Sequence, residues 1–180
     1  GATALVIESA ELATRRQARI YAELAGWGQS SDGYSIAISH PEGAGLRLAI
    51  QRALADACVS PAKIDYVNAH ATSTPIGDRA EALALRAVFA DADTPPFISS
   101  TKGLTGHPLS AAGAMEAAFC ALAINGGFTP GNAHLRQPDP TCDGLRLPVD
   151  SLDTAPAIAL NNSSGFGGSN VCHVLRRFTP

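Results

Sequence analysis

The sequence predicts an α/β fold in which a mixed β-sheet is layered with helices. Three observations carry that prediction. Short apolar runs rich in β-branched residues alternate with stretches of helical periodicity, the rhythm of layered α/β proteins. The runs are nearly continuous rather than alternating, which calls for a sheet covered on both faces. Only 16% of the 180 residues are charged and 46% are hydrophobic, against about 25% charged in an average soluble domain, so much of the chain must lie inside something.

Each element has its own signal. Residues 3–9, TALVIES, read as a strand, and residues 10–20, AELATRRQARI, as a short helix with Arg15, Arg16 and Arg19 on its wet side. Residues 20–31 return to strand, bent at Gly26 and Gly28. Residues 31–45 are loop-like, punctuated by Gly and Pro. Over residues 45–57, Leu46, Ala49, Ile50, Ala53 and Leu54 fall at helical spacing, with Arg47, Arg52 and Asp56 outside. SPAK is a turn, and IDYVNAH a strand that ends on His70. The next helix, residues 78–90, has Ala80, Leu83, Ala84, Ala87 and Val88 as its apolar stripe. PPFISS is a short strand. Residues 105–126, TGHPLSAAGAMEAAFCALAING, read as one long buried helix stopped at Asn125-Gly126-Gly127. A proline-rich crossover leads to two last strands, AIALNNSS and NVCHVLRRF, joined by GFGG.

Composition excludes several classes. A net charge of −3, 6% aromatics and no basic stripe argue against a nucleic-acid partner. Cys58, Cys120, Cys142 and Cys172 are dispersed without C-x-x-C spacing; a metal site or disulfide scaffold is not indicated, and a reducing compartment, the cytoplasm, is expected. No basic region precedes the apolar run at the start, so it does not read as a signal peptide. The apolar stretch around PLSAAGAMEAAFCALAI is interrupted by Glu116 and reads as too short and mild for a membrane span.

Three segments share a design in which a short strand delivers a polar residue into a turn of small residues: VNAHATSTPIGD, FISSTKGLTGHPLSAAG and ALNNSSGFGGSN. Functional groups in α/β layers sit in such loops. His70 and His107 are the well-placed imidazole pair. Two neutral imidazoles can each donate one N–H to a single carbonyl oxygen and hold an enolate as charge develops. Lys102 can orient a charge or depress a neighbouring pKa, and Thr105-Gly106, read as the start of the long helix, would add free backbone N–H groups beside it. His40, His134 and His173 have no partner motif and read as ordinary surface or core residues.

NAHATSTPIGDRAE, STKGLTGHPLSAAGAMEA and NSSGFGGSN, in that order and spacing, resemble the C-terminal half of β-ketoacyl-acyl-carrier-protein synthases, the elongating condensing enzymes; YAELAGWGQSSDGY and ADACVSPAKIDYVNAH are similar to that family as well. The resemblance spans essentially all of residues 1–180 and implies the C-terminal half of a thiolase-like fold, joined to a nucleophile-bearing N-terminal half and assembled as a homodimer or heterodimer. It implies decarboxylating condensation of an acyl thioester with malonyl-acyl carrier protein, in fatty-acid or polyketide synthesis. Substrates ride on the phosphopantetheine of acyl carrier protein, and no other cofactor is implied. By the same resemblance His70 and His107 are the decarboxylation histidines, Lys102 the active-site lysine and Glu81 the acidic residue paired with it. Thr72 and Thr74 contact the pantetheine arm, Phe166 gates the acyl pocket and contributes its backbone N–H, with that of the nucleophilic cysteine, to the oxyanion hole, and Gly167 is counted with these substrate-binding residues. Glu116 either binds a structural monovalent cation with the NNS backbone or caps a buried hydrogen-bond network.

Departures accompany the matches. No cysteine follows a strand and opens a helix, the setting that activates a thiol, so the isolated chain is expected to be inactive. Ala71 stands where the family usually has Gly, Ser164 where Phe is common, and Ala37 where Thr is frequent. A chain-length-factor-type partner subunit of the same fold is the alternative reading. A thiolase or an initiating synthase would replace one histidine.

Overall fold

The computed structural model describes residues 1–179. Five strands form one mixed sheet in the order β1-β5-β4-β2-β3: β1 (Glu23–Ser31), β2 (Tyr66–Asn68), β3 (Phe97–Ser99), β4 (Ile158–Gly165) and β5 (Ser169–Arg176). β2 runs parallel to both β3 and β4, and β5 runs antiparallel to β4 and β1. The helices are α1 (Ala10–Arg15), α2 (Ala44–Asp56), α3 (Pro75–Val88), α4 (Lys102–Thr105) and α5 (Ala112–Gly126).

One face of the sheet is closed by α2 and α3. Leu46, Ile50, Leu54 and Leu85 from these helices pack on Val67, Ile98, Leu160, Cys172 and Val174 in a single cluster. The bend foreseen in β1 has a packing reason. A Cβ on Gly26 would meet Ala57 N at 2.5 Å, and one on Gly28 would meet Ala49 O at 2.2 Å, so the α2 backbone lies directly on this strand. A register shift between Leu24 and Gly26 accompanies the contact. The α2 stripe is buried as expected. In α3, Ala87 is exposed, and Glu81, Ala82 and Leu85 are buried with Ala80 and Ala84. The buried face is therefore rotated from the one expected, because it also holds the Glu81 carboxylate over the end of β2.

The other face carries α5 and a smaller cluster of Tyr66, Cys120, Ile124, Ala159 and Leu175. Three expectations fail on this side. Residues 3–9 form no strand: they are extended, without a ladder partner, and Val6 and Ile7 are 92% and 71% exposed. The long helix is not continuous. α4 ends at Thr105, Gly106 turns at φ 70°, a 3₁₀ turn spans Leu109–Ala111, and α5 begins only at Ala112. Pro108, which cannot donate inside a helix, breaks it. The helix is buried on one side only, and Leu122 is 45% exposed. Finally, Leu109–Gly126 is, by length and composition, apolar enough to cross a membrane. In this fold Cys120, Ala123 and Ile124 lie buried against the sheet and Glu116 is charge-paired at the helix's midst.

Candidate active site

The site gathers where β2, β3 and β4 end. β2 alternates: Val67 and Ala69 enter the core with α2 and α3, while Tyr66 and Asn68 turn toward α5. His70 follows with the same parity. Its backbone N–H donates to Glu81 Oε1 at 2.9 Å and that of Ala71 to Glu81 Oε2 at 2.7 Å, so one carboxylate from α3 caps both free donors past the strand end. Asn162 Nδ2 adds a donor to Glu81 Oε1 at 3.3 Å.

His107, from the loop between α4 and α5, meets His70 with ring centroids 5.2 Å apart and planes at 89°. The two loops that supply the imidazoles therefore converge, as the sequence predicts. Burial, then the Lys102 charge, then His107 push the His70 imidazole down to about 3. His107 is lowered as well, first by burial and then by Lys102. Both rings are thus held in the neutral form, in which each keeps one N–H to donate. His70 Nδ1 is buried without a protein partner.

Lys102 corrects a pairing. Its ammonium binds the Glu116 carboxylate from α5, not Glu81. Glu81 is engaged with backbone N–H groups and Asn162, which leaves it no role as the lysine's counter-ion. Burial raises the pKa of Glu116, and the Lys102 hydrogen bond and charge oppose that rise. Gly106 also departs from expectation. Its N–H closes α4 by donating to Lys102 O at 2.9 Å, so it is not a free donor at a helix start.

Four buried oxygens on the α5 side have no protein partner: Asn68 Oδ1, Asn161 Oδ1, Ser163 Oγ and Glu116 Oε2. An all-oxygen set fits a hard cation rather than a transition metal. No cluster of three or more His, Cys, Asp and Glu side chains occurs among the described residues.

Thr72, Thr74 and Phe166 line one open cleft of about 1710 Å³ that also holds His70 and His107, whereas Gly167 does not line it. Thr72 and Thr74 place their hydroxyls 3.2 Å apart, across Ser73 at φ 65°; the left-handed residue of this turn is Ser73, while Ala71 has negative φ. Phe166 is 82% exposed at the cleft. The Gly167 N–H donates to Ile36 O at 2.8 Å, so this amide is committed to the 32–40 loop and not to a substrate. Ser164 Oγ bonds Asn170 Oδ1 at 2.8 Å, and Asn170 Nδ2 bonds Asp32 Oδ1 at 2.8 Å. One residue and one pairing escaped the sequence reading. Asp78 accepts the Thr74 N–H at 3.3 Å and fastens the threonine turn, signalled only by its place one turn into α3. Glu116 as the partner of Lys102 had no local signal. The thiols of Cys120, Cys142 and Cys172 are all pushed up by burial, the reverse of nucleophile activation.

The strand-end loops of this five-stranded mixed sheet thus bring two imidazoles and a buried lysine into one region. The model of the family "Beta-ketoacyl synthase, C-terminal domain" matches residues 21–136, and the chain belongs to that family. It is 44% identical over 178 residues to 3-oxoacyl-[acyl-carrier-protein] synthase 2 of Staphylococcus aureus (strain COL), covering 99% of this chain and 43% of that protein. It is 47% identical over 173 residues to the mitochondrial 3-oxoacyl-[acyl-carrier-protein] synthase of Arabidopsis thaliana, covering 94% of this chain and 38% of that one. Among solved structures, the ishigamide ketosynthase/chain length factor superposes with TM-score 0.89 at 37% identity, over 96% of this chain and 42% of that one. A type II polyketide ketosynthase in complex with its acyl-carrier protein gives TM-score 0.90 at 34% identity, over 96% and 42%. The fold is the α/β fold of thiolase-like ketosynthases, and the chain spans under half the length of the relatives it matches.

Proposed function

We propose that this chain supplies the decarboxylation half of a β-ketoacyl-acyl carrier protein synthase. In this reading His70 and His107 donate their N–H groups to the malonyl thioester oxygen. Carbon dioxide leaves, the enolate is held by the two imidazoles, and its carbon attacks an acyl thioester carried on a cysteine of the N-terminal half, whose C–S bond breaks to release the cysteine thiolate as the new C–C bond forms. The proton stays on each ring throughout, which suits imidazoles whose charged form is disfavoured. Each oriented donor contributes about 2.7–4 kcal/mol to such a transition state. Lys102, held in place by its ion pair with Glu116, lies near enough for its charge to disfavour protonation of both rings. Glu81 holds the His70 backbone, Thr72 and Thr74 present hydroxyls to the pantetheine arm, and Phe166 gates the acyl side. Asn68 Oδ1, Asn161 Oδ1, Ser163 Oγ and the second oxygen of Glu116, the atoms left without a protein partner, would hold a structural monovalent cation. Acyl carrier protein and the N-terminal half are the partners, in a homodimer or heterodimer.

The observation that carries this reading is the 5.2 Å approach of the two rings within the cleft. The cleft, at about 1710 Å³, exceeds the roughly 300–1,000 Å³ of a small-ligand pocket; covering polypeptide from the N-terminal half would narrow it. Solved relatives that include a chain length factor favour the second reading, a pocket-shaping partner subunit. The retained His70, His107 and Lys102 favour the enzyme. The test uses the synthase assembled with its cysteine-bearing half. His70→Ala or His107→Ala should abolish release of carbon dioxide from malonyl-acyl carrier protein while acyl transfer to the cysteine survives in part. Undiminished release in both variants would refute the assignment.

A further inference from the structure

The segment that carries His107 is pinned at both ends and pivots at two points. Lys102 at its start binds Glu116 on α5. Between them, Gly106 has φ 70° and Leu109 φ 54°. Glycine adopts the left-handed region freely, whereas leucine does so only against its Cβ. No packing offsets this for Leu109, whose side chain is 67% exposed. Main-chain bonds hold the turn instead. Ala111 N–H donates to Pro108 O at 3.3 Å and Ala112 N–H to Leu109 O, and together they open α5. Pro108 keeps the preceding His107 out of helical backbone. A right-handed Leu109 would redirect the chain where it leaves the histidine and swing His107 from its place 5.2 Å from His70.

We propose that Leu109 is a positioning residue whose left-handed backbone sets the direction from which His107 approaches His70. The proposal rests on the two-imidazole reading above. It concerns the backbone rather than the isobutyl group, and two substitutions separate these. Valine, β-branched, resists positive φ more than leucine; asparagine accepts it readily while discarding the apolar side chain.

In the assembled synthase, release of carbon dioxide from malonyl-acyl carrier protein and acyl transfer to the cysteine are measured separately. Leu109→Val should lower the first about tenfold or more, the scale expected for a displaced catalytic group, and leave acyl transfer unchanged. Leu109→Asn should keep both rates near wild type. The proposal is overturned if Leu109→Val releases carbon dioxide normally, if Leu109→Asn falls as far as Leu109→Val, or if both rates fall together. Should His107→Ala itself leave carbon dioxide release intact, the two-imidazole reading fails separately. The positioning claim is then decided by the His107 ring resonances of the 180-residue chain, which Leu109→Val must shift and Leu109→Asn must leave in place.

Discussion

The two faces of the sheet are built by different rules. Toward α2 and α3 the contacts are mainly aliphatic, with Ile50, Val67, Leu160 and Val174 fully buried and the bonded Glu81 and Asn162 the polar exceptions at the strand ends. Toward α5 the buried groups include Asn68, Ser99, Lys102, Glu116 and Asn161, and Trp27 and Leu122 remain 53% and 45% exposed. One face spends hydrophobic burial on holding the fold. The other carries polar groups that cost free energy to bury unless paired, and it is there that His70 and His107 meet. The main aliphatic core and the meeting point of the two imidazoles thus lie on different sides of a single sheet.

The sharpest way to break this contrast is through Lys102. Lys102→Met leaves the Glu116 carboxylate buried and uncompensated, which should cost about 3–5 kcal/mol in denaturant unfolding. Adding Glu116→Leu should recover much of that loss; an unchanged midpoint in the single variant would mean that the pair is not desolvated. On the closed face, Ile50→Ala should cost about 2–5 kcal/mol, because a fully buried aliphatic group leaves a cavity. A loss well under that range would show that α2 collapses onto β1 despite its fixed approach at Gly26 and Gly28. The smallest effect is expected at Trp27, where Trp27→Gln should change the stability of this chain by within about 0.5 kcal/mol. A large loss there would mean the α5 face is more tightly covered than its exposure indicates.

What the sequence made legible follows the same division. The α2 stripe and the last strand pair were readable because local periodicity and local burial agree on the closed face. The first apolar run, residues 3–9, looked equally like a strand, but strand preference reflects packing and pairing with neighbours, and here the run pairs with no strand of the sheet. The long helix was overread because its alanine-rich composition outweighed Pro108 and hid the left-handed turn at Leu109. His70 and His107 were legible because each stands among small residues in a loop, a pattern that makes little sense as packing. Lys102 and Glu116 were not legible as a pair: 14 residues separate them, and only the break between α4 and α5 folds one back on the other. Glu81 was picked out as acidic and important, but its partners are backbone N–H groups, which leave no mark in a sequence.

Protonation joins the two themes. Lowered imidazole pKa values mean that the unfolded chain binds protons that the folded one refuses, so stability falls as pH drops below the ordinary histidine value of 6.5, and for His70 continues to fall toward about 3. The central claim, two uncharged rings sharing one oxygen, is tested most directly by a pH titration of the ring ¹⁵N resonances of His70 and His107 in the folded chain. The account predicts that both titrate below 6.5 and that His70 remains neutral down to the lowest pH at which the fold survives. A midpoint at or above 6.5 for either ring would contradict it.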